Sequence, residues 1–178
     1  MWREGVREVV GRTHIVFALE CALASLLSFV CAYSYGLLVH SFTPLLGGLW
    51  GAISTAMVVD VLSHEALKMS FNRLIGSTIG CLSTLIWLYV FGYDVFAFLI
   101  STFFAVIMCY VFRVSQTYRT TLIAVFVVIV SGALMGSHIS IWGNVLNRFV
   151  DSIIGIVTTL IVVFLFYPLR SYFNLLAR

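Results

Sequence analysis

The sequence predicts an all-α integral membrane protein, with six transmembrane helices arranged as a 3+3 inverted repeat. The chain of 178 residues is 62% hydrophobic and only 10% charged, with a mean hydropathy of +1.10. Soluble chains, by comparison, are about 25% charged. The apolar residues also fall in blocks of about twenty, the length that crosses about 30 Å of hydrocarbon as a helix. One of these blocks recurs later in the chain, and this recurrence predicts the repeat.

The recurring block covers residues 71–93 and 146–168. The first copy reads FNRLIGSTIGCLSTLIWLYVFGY and the second reads LNRFVDSIIGIVTTLIVVFLFYP. A shift of seventy-five positions places Asn72-Arg73 on Asn147-Arg148, and the identities continue at the Ser, Ile-Gly and Thr-Leu-Ile positions that follow. Each copy is long enough to cross a bilayer, so the duplicated unit is a membrane unit.

The elements follow in order from the hydropathy pattern. Residues 1–13 are basic and amphipathic, which predicts an interfacial segment at the membrane surface. The predicted spans are 14–39, 45–63, 73–91, 95–112, 120–136 and a sixth that follows Asn144 and ends at Tyr167-Pro168. Polar segments at 40–44, 64–70, 92–94, 113–119 and 137–144 separate them. The chain is thus a single membrane domain, 1–178, with repeat A over about 14–93, repeat B over about 94–168 and a cytoplasmic tail at 169–178.

The distribution of basic residues predicts the orientation. One predicted side carries Arg3, Arg7, Arg12, Lys68, Arg73, Arg113, Arg119, Arg170 and Arg178, whereas Arg148 alone lies on the other. Cytoplasmic loops are enriched in Lys and Arg, so both termini are predicted to be cytoplasmic. Because each repeat holds three spans, the second copy is inverted relative to the first. Inverted repeats are the usual architecture of alternating-access transporters and also occur in channels. The alternative is a purely structural duplication, in which the unit only packs with its own copy.

Arg73 and Arg148 are the candidate anion-binding residues. Each follows an asparagine, Asn72 or Asn147, and asparagine is a preferred N-cap residue. Both arginines are therefore predicted in the first turn of a helix, one at each membrane face, where the helix dipole favours anions. The alternative is that both side chains reach lipid phosphates and act as membrane anchors.

Three carboxylates are candidates for proton coupling or gating: Glu20, Asp60 and Asp151. Glu20 and Asp60 fall inside the first and second predicted spans, where an ionised carboxylate is costly unless it faces a partner or water. For these two the alternative is a structural ion pair with Arg12 or Arg73. Asp151 follows Arg148 by three positions, so the two share a helix face and can pair.

The first copy of the repeat carries Gly76 where the second carries Asp151. Arg73 therefore lacks an equivalent partner in its own helix and is left to Asp60, Glu65 or a ligand. Gly76, Gly80 and Gly155 lie in ridges of small residues that let membrane helices approach closely, so we interpret them as packing residues.

The other residue types do not form a recognisable site for chemistry. The four cysteines lie in separate apolar blocks, and the four histidines are scattered without metal-ligand spacing. The sequence contains neither a catalytic triad nor a phosphate-binding loop. We therefore expect no enzyme activity, no metal, no cofactor and no nucleic acid partner.

Two stretches resemble a known family. Trp50-Gly51-Ala52-Ile53-Ser54 is followed by Arg73-Leu-Ile-Gly76-Ser77-Thr78-Ile-Gly80, which fits the pattern R-x-x-G-[ST]-x-x-G. These residues resemble the fusaric acid resistance protein-like superfamily, which includes aromatic acid exporters and is similar to plant malate channels. The resemblance implies export of organic anions, with Arg73 and Arg148 near the anion path. It also implies a module that dimerises or recruits partners, because many members are larger.

The leading hypothesis is a transporter or exporter of small organic anions in a bacterial inner membrane, surrounded by lipid. It would work as a homodimer or higher oligomer, with or without an accessory subunit. One alternative is a cation or drug exporter that uses Glu20 as its membrane-embedded carboxylate. Another is a non-transporting membrane assembly subunit.

Overall fold

The computed structural model describes residues 2–39, 44–59, 63–135 and 140–176. Over these residues the chain is helical, without strands. The helices are α1 (Trp2–Leu38), α2 (Pro44–Val58), α3 (Ser63–Phe91), α4 (Val95–Val111), α5 (Tyr118–Met135) and α6 (Ile141–Leu176). A short 3-10 helix at Ser115–Thr117 precedes α5.

The described helices make the chain a multi-pass membrane protein. Four stretches are long and apolar enough to cross a membrane: Ile15–Leu38, Glu65–Phe91, Ser115–Leu134 and Ile141–Leu169. The 15 residues of α2 and the 17 of α4 are also apolar but shorter. At about 1.5 Å per residue they fall below the roughly 30 Å of a typical hydrocarbon layer. The all-α membrane fold is therefore confirmed, and the number of full spans stays a prediction.

Two helices begin earlier than the hydropathy pattern predicted. The segment 64–70, predicted as a polar connection, forms the beginning of α3, where Glu65 in the first turn lies 3.9 Å from Lys68. The polar residues at 140–144 likewise belong largely to α6, which begins at Ile141. Asn72 and Asn147 are therefore inside helices, and the prediction that they act as N-caps is wrong. Hydropathy detects where a helix becomes apolar, and a helix can extend beyond that point through polar turns.

Other predicted boundaries also differ. No break separates residues 1–13 from the first span, because α1 is continuous from Trp2. The second helix ends at Val58, so Asp60 lies outside the described residues. The last helix does not end at Pro168 but continues to Leu176. Proline inside a membrane helix is tolerated when neighbouring groups satisfy the backbone, and this is why it is a weaker stop signal here than in water.

Glycines bring the helices into backbone contact. A Cβ on Gly155 of α6 would lie 2.7 Å from the carbonyl oxygen of Gly51 in α2. A Cβ on Gly80 of α3 would lie 2.6 Å from the carbonyl oxygen of Thr121 in α5. In addition, α1 packs on α2 and α6, while α3 packs on α4, α5 and α6. Two closely packed helix pairs, α2 with α6 and α3 with α5, therefore lie side by side, and α3 contacts α6.

Candidate functional site

Trp50, near the middle of α2, is buried where α2, α3 and α6 meet. Its indole Nε1–H points at α6, with the carbonyl oxygen of Arg148 at 2.9 Å and the hydroxyl of Ser152 at 2.7 Å. Its ring faces α3, where the Cζ atom of Arg73 lies 4.6 Å from the ring centroid. A single indole therefore contacts the guanidinium of Arg73 and the backbone of Arg148.

The Arg73 guanidinium is fully buried. Besides the cation–π contact with Trp50, it donates to the hydroxyl of Ser54 at 3.1 Å and points at the sulfur of Met57 at 3.2 Å. Its Nε has no hydrogen-bond partner, and no carboxylate of the described residues lies within ion-pair distance. The described side chains that contact Arg73 are thus neutral, although desolvating a cation costs several kcal/mol.

Arg148 has a charged neighbour. One of its terminal nitrogens lies 3.0 Å from a carboxylate oxygen of Asp151, and both side chains are almost fully buried. The angles of this contact are not those of a hydrogen bond, and the Nε of Arg148 is also unpartnered. On its other side the carboxylate faces Gly47 of α2, where a Cβ would lie 3.2 Å from both carboxylate oxygens. Gly47 therefore leaves the space that the Asp151 carboxylate occupies.

The surroundings of both arginines are polar but closed to water. Ser77, one turn after Arg73, is fully buried and its hydroxyl has no partner among the described residues. The thiol of Cys81, on the next turn, is within electrostatic range of both guanidinium groups. Arg73 and Arg148 are no more than 2% exposed, so solvent does not reach either side chain in this structure. Arg73 and Ser77 share a face of α3, so an oxyanion beside Arg73 would have a guanidinium and an unpartnered hydroxyl within about one helix turn, in a low dielectric that strengthens their attraction.

The structure corrects the predicted position of the arginines. They were expected in the first turns of α3 and α6, one at each membrane face. Because both helices begin earlier, Arg73 is the eleventh residue of α3 and Arg148 the eighth of α6, as counted from Ser63 and Ile141. Both therefore reach the same interior region around Trp50. Asn72 and Asn147 are only half-buried beside them.

Three other predicted site residues in the described part of the chain, Glu20, Gly76 and Gly80, make contacts of their own. Glu20 is fully buried in α1, where it takes part in an interaction of its own. Gly76 and Gly80 pack against Thr120 and Thr121 of α5. Asp60 is not among the described residues. No group of three His, Cys, Asp or Glu side chains that could hold a metal ion occurs in the described ranges.

Sequence reasoning missed the central role of Trp50, which counted only as part of a family motif. Two serines were also not assigned to the site: Ser54 accepts a hydrogen bond from Arg73, and Ser152 accepts one from Trp50. One signal could have identified them. Ser54 follows Trp50 by four positions and Ser152 follows Arg148 by four, so each pair shares a helix face.

Comparison with known proteins gives the same family as the motifs. A UPF0421 protein of Staphylococcus saprophyticus is 31% identical over 123 residues, which are 68% of this chain and 36% of that protein. The chain thus spans little more than a third of that relative's length. No solved structure matches the chain. The model of the fusaric acid resistance protein-like family matches residues 31–162, most of the chain. These residues include Trp50, both arginines and Asp151, and the chain belongs to the fusaric acid resistance protein-like family.

Proposed function

We propose that this protein transports small organic anions across the membrane and that Arg73 and Arg148 hold the anion during passage. The observation that carries the proposal is the burial of the Arg73 guanidinium: among the described residues it contacts only neutral groups, and its Nε has no hydrogen-bond partner there. A cation held in a membrane protein interior needs a compensating charge or a function. A transported anion would supply that charge when bound. The proposal also agrees with the family, whose members are generally transporters or exporters.

The helix packing supports an inverted repeat. When α1, α2 and α3 are matched with α4, α5 and α6, the pairs α1–α2, α1–α6 and α2–α6 correspond to α4–α5, α3–α4 and α3–α5, and all six pairs are in contact. Gly80 packs on Thr121 and Ala124, while its counterpart Gly155 packs on Gly51 and Ser54, seventy positions earlier. The two glycines therefore meet equivalent positions of α5 and α2.

Six crossings with cytoplasmic termini belong to the same proposal. Along α2 and α6 the contacts advance together, from Trp50–Ser152 to Thr55–Thr159, so these helices run parallel. In six crossings that start in the cytoplasm, α2 and α6 both run from the outer face to the cytoplasmic face, so they have to be parallel. The helices α2 and α4 would then cross a locally thinned bilayer. Removing buried Arg73 and Arg148 from the ten Lys and Arg residues leaves eight, all on the predicted cytoplasmic side.

Flux into liposomes tests the proposal. Benzenesulfonate is a suitable probe because it stays anionic at every accessible pH and does not leak through lipid as a neutral acid. The purified protein would be reconstituted and the trapped probe measured by absorbance. We expect Arg73→Gln to lower flux at least about tenfold, since hydrogen bonds to charged groups are worth about 1.5–3 kcal/mol. Arg119→Gln is the matched control, because Arg119 is exposed and its side chain lies against Tyr118, the residue before it, away from the buried arginines.

The outcomes separate the alternatives. Equal flux in wild type and Arg73→Gln would refute the anion path. If a cation is exported instead and Glu20→Gln abolishes that export, the carboxylate-based drug exporter replaces this proposal. Absence of any flux from purified wild type, together with stable co-purification of another membrane protein, favours the assembly subunit. The homodimer or higher oligomer, the accessory subunit and the bacterial inner membrane remain parts of the proposal.

A further inference from the structure

The buried site has an uneven charge distribution. Among the described residues, α3 and α6 bury two guanidinium groups within electrostatic range of Cys81, from Arg73 and Arg148, and one carboxylate beside Arg148, from Asp151. The net charge of this group is therefore +1, from two positive charges and one negative. Glu20 is also buried, but it belongs to α1 and takes part in an interaction of its own, so its charge is not counted in this group.

The single carboxylate is built into the helix packing. On the α2 side, Gly47 leaves room for Asp151. At the equivalent position of the first repeat, Gly76 faces the side chain of Thr120, which fills the space that a second carboxylate would need. An acidic residue next to Arg73 would therefore collide with α5. The packing permits a carboxylate beside one arginine and excludes it beside the other.

Given the anion transport proposed above, we propose that Asp151 determines the valence of the transported anion and selects monoanions over dianions. A monoanion neutralises the net charge of +1. A dianion would leave a net negative charge in an interior closed to water, where an unbalanced charge costs several kcal/mol. The Asp151 carboxylate also repels the second negative charge directly, because it is fixed 3.0 Å from Arg148.

A pair of probes that differ only in charge tests this inference. Benzenesulfonate and benzene-1,3-disulfonate share one ring and are permanently ionised. In reconstituted wild type we expect the monosulfonate to cross at least about tenfold faster, after correction for protein-free liposomes. In Asp151→Asn, with two net positive charges, we expect the ratio of the two rates to shift toward the disulfonate by at least about tenfold.

Two further variants vary the same charge. Arg148→Gln leaves a net charge of zero and should slow both probes. Arg148→Gln combined with Asp151→Asn restores +1 and should restore preference for the monosulfonate. Asp151→Asn alone leaves the Arg148 cation buried without its partner, and this variant can fail to fold for that reason. The double variant removes that cation as well, so its probe preference can be measured even then. Asp94→Asn, at an exposed helix cap, is the charge-matched control and should behave as wild type.

Each result decides one question. If wild type carries neither sulfonate, the proposed anion transport fails. If wild type carries the monosulfonate but Asp151→Asn keeps its probe ratio, transport stands and the role of Asp151 is refuted. Equal rates of the two probes in wild type also refute it, without any variant. If the ratio of the two probe rates follows the net charge of the site in wild type and in all the variants, the role of Asp151 is supported.

Discussion

Replacing Trp50 with phenylalanine tests whether this residue connects the helices as described. The change keeps an aromatic ring but removes the N–H that contacts the carbonyl of Arg148 and the hydroxyl of Ser152. The two contacts share one N–H, so their loss together costs about 0.5–1.5 kcal/mol. A phenyl ring also binds the Arg73 cation less strongly than an indole, by a fraction of the roughly 0.5–2 kcal/mol of a cation–π contact. We expect the free energy of unfolding to fall by about 1–2 kcal/mol.

The chain provides a matched control in Trp87. This indole packs against Phe91 and Phe104, and its Nε1 is buried without a hydrogen-bond partner. Trp87→Phe therefore removes a similar area of ring but no hydrogen bond. Reversible unfolding of both variants in mixed micelles, by titration with a denaturing detergent, gives the two free energies. If Trp50→Phe loses no more stability than Trp87→Phe, the hydrogen bonds of Trp50 are not holding α2 to α6.

Two other predictions follow from the packing and the topology. Gly155→Ala should lower the free energy of unfolding by about 1–3 kcal/mol, because its Cβ would meet the Gly51 carbonyl and the Ser54 Cβ at 2.7 Å. The same titration measures it, and an unchanged midpoint would mean that α2 and α6 can separate freely. Cysteines placed at Asp94 and Ser115 should react with an impermeant thiol reagent from opposite sides of the membrane, after the native thiols are replaced. Labelling of both from one side would contradict the alternating crossings.

Composition and hydropathy were sufficient to predict the broad fold. The all-α membrane class is confirmed. A continuous apolar segment in lipid forms a helix because a helix satisfies all its backbone hydrogen bonds within the segment. The family is also confirmed, since Trp50-Gly51 and the Arg73 to Gly80 stretch lie within the matched region. The turn between α3 and α4 follows from local chemistry, with Gly92 at a φ of 69° and Asp94 capping α4.

The depth of the arginines could not be predicted in the same way. Arg73 and Arg148 mark where apolar sequence begins, and hydropathy places that point at the membrane surface. The helices instead extend through polar turns before the arginines, and contacts between helices, such as those of Trp50, determine how deeply the arginines are buried. Such contacts join residues about a hundred positions apart, as between Trp50 and Ser152, and no local pattern encodes them. Asp151 was easier to interpret, because its spacing from Arg148 lies within a single helix.

The meeting of three helices at one indole has a consequence for how substitutions combine. Trp50 touches the side chain of Arg73 on one face and the backbone of Arg148 at its edge. Replacing either Trp50 or Arg73 changes the environment of the other, so their individual energetic effects will not sum. A double-mutant cycle between these two positions should therefore return an interaction energy well outside experimental error. A substitution at Arg148 keeps the backbone carbonyl that Trp50 contacts, so its cycle with Trp50 should return a smaller interaction energy.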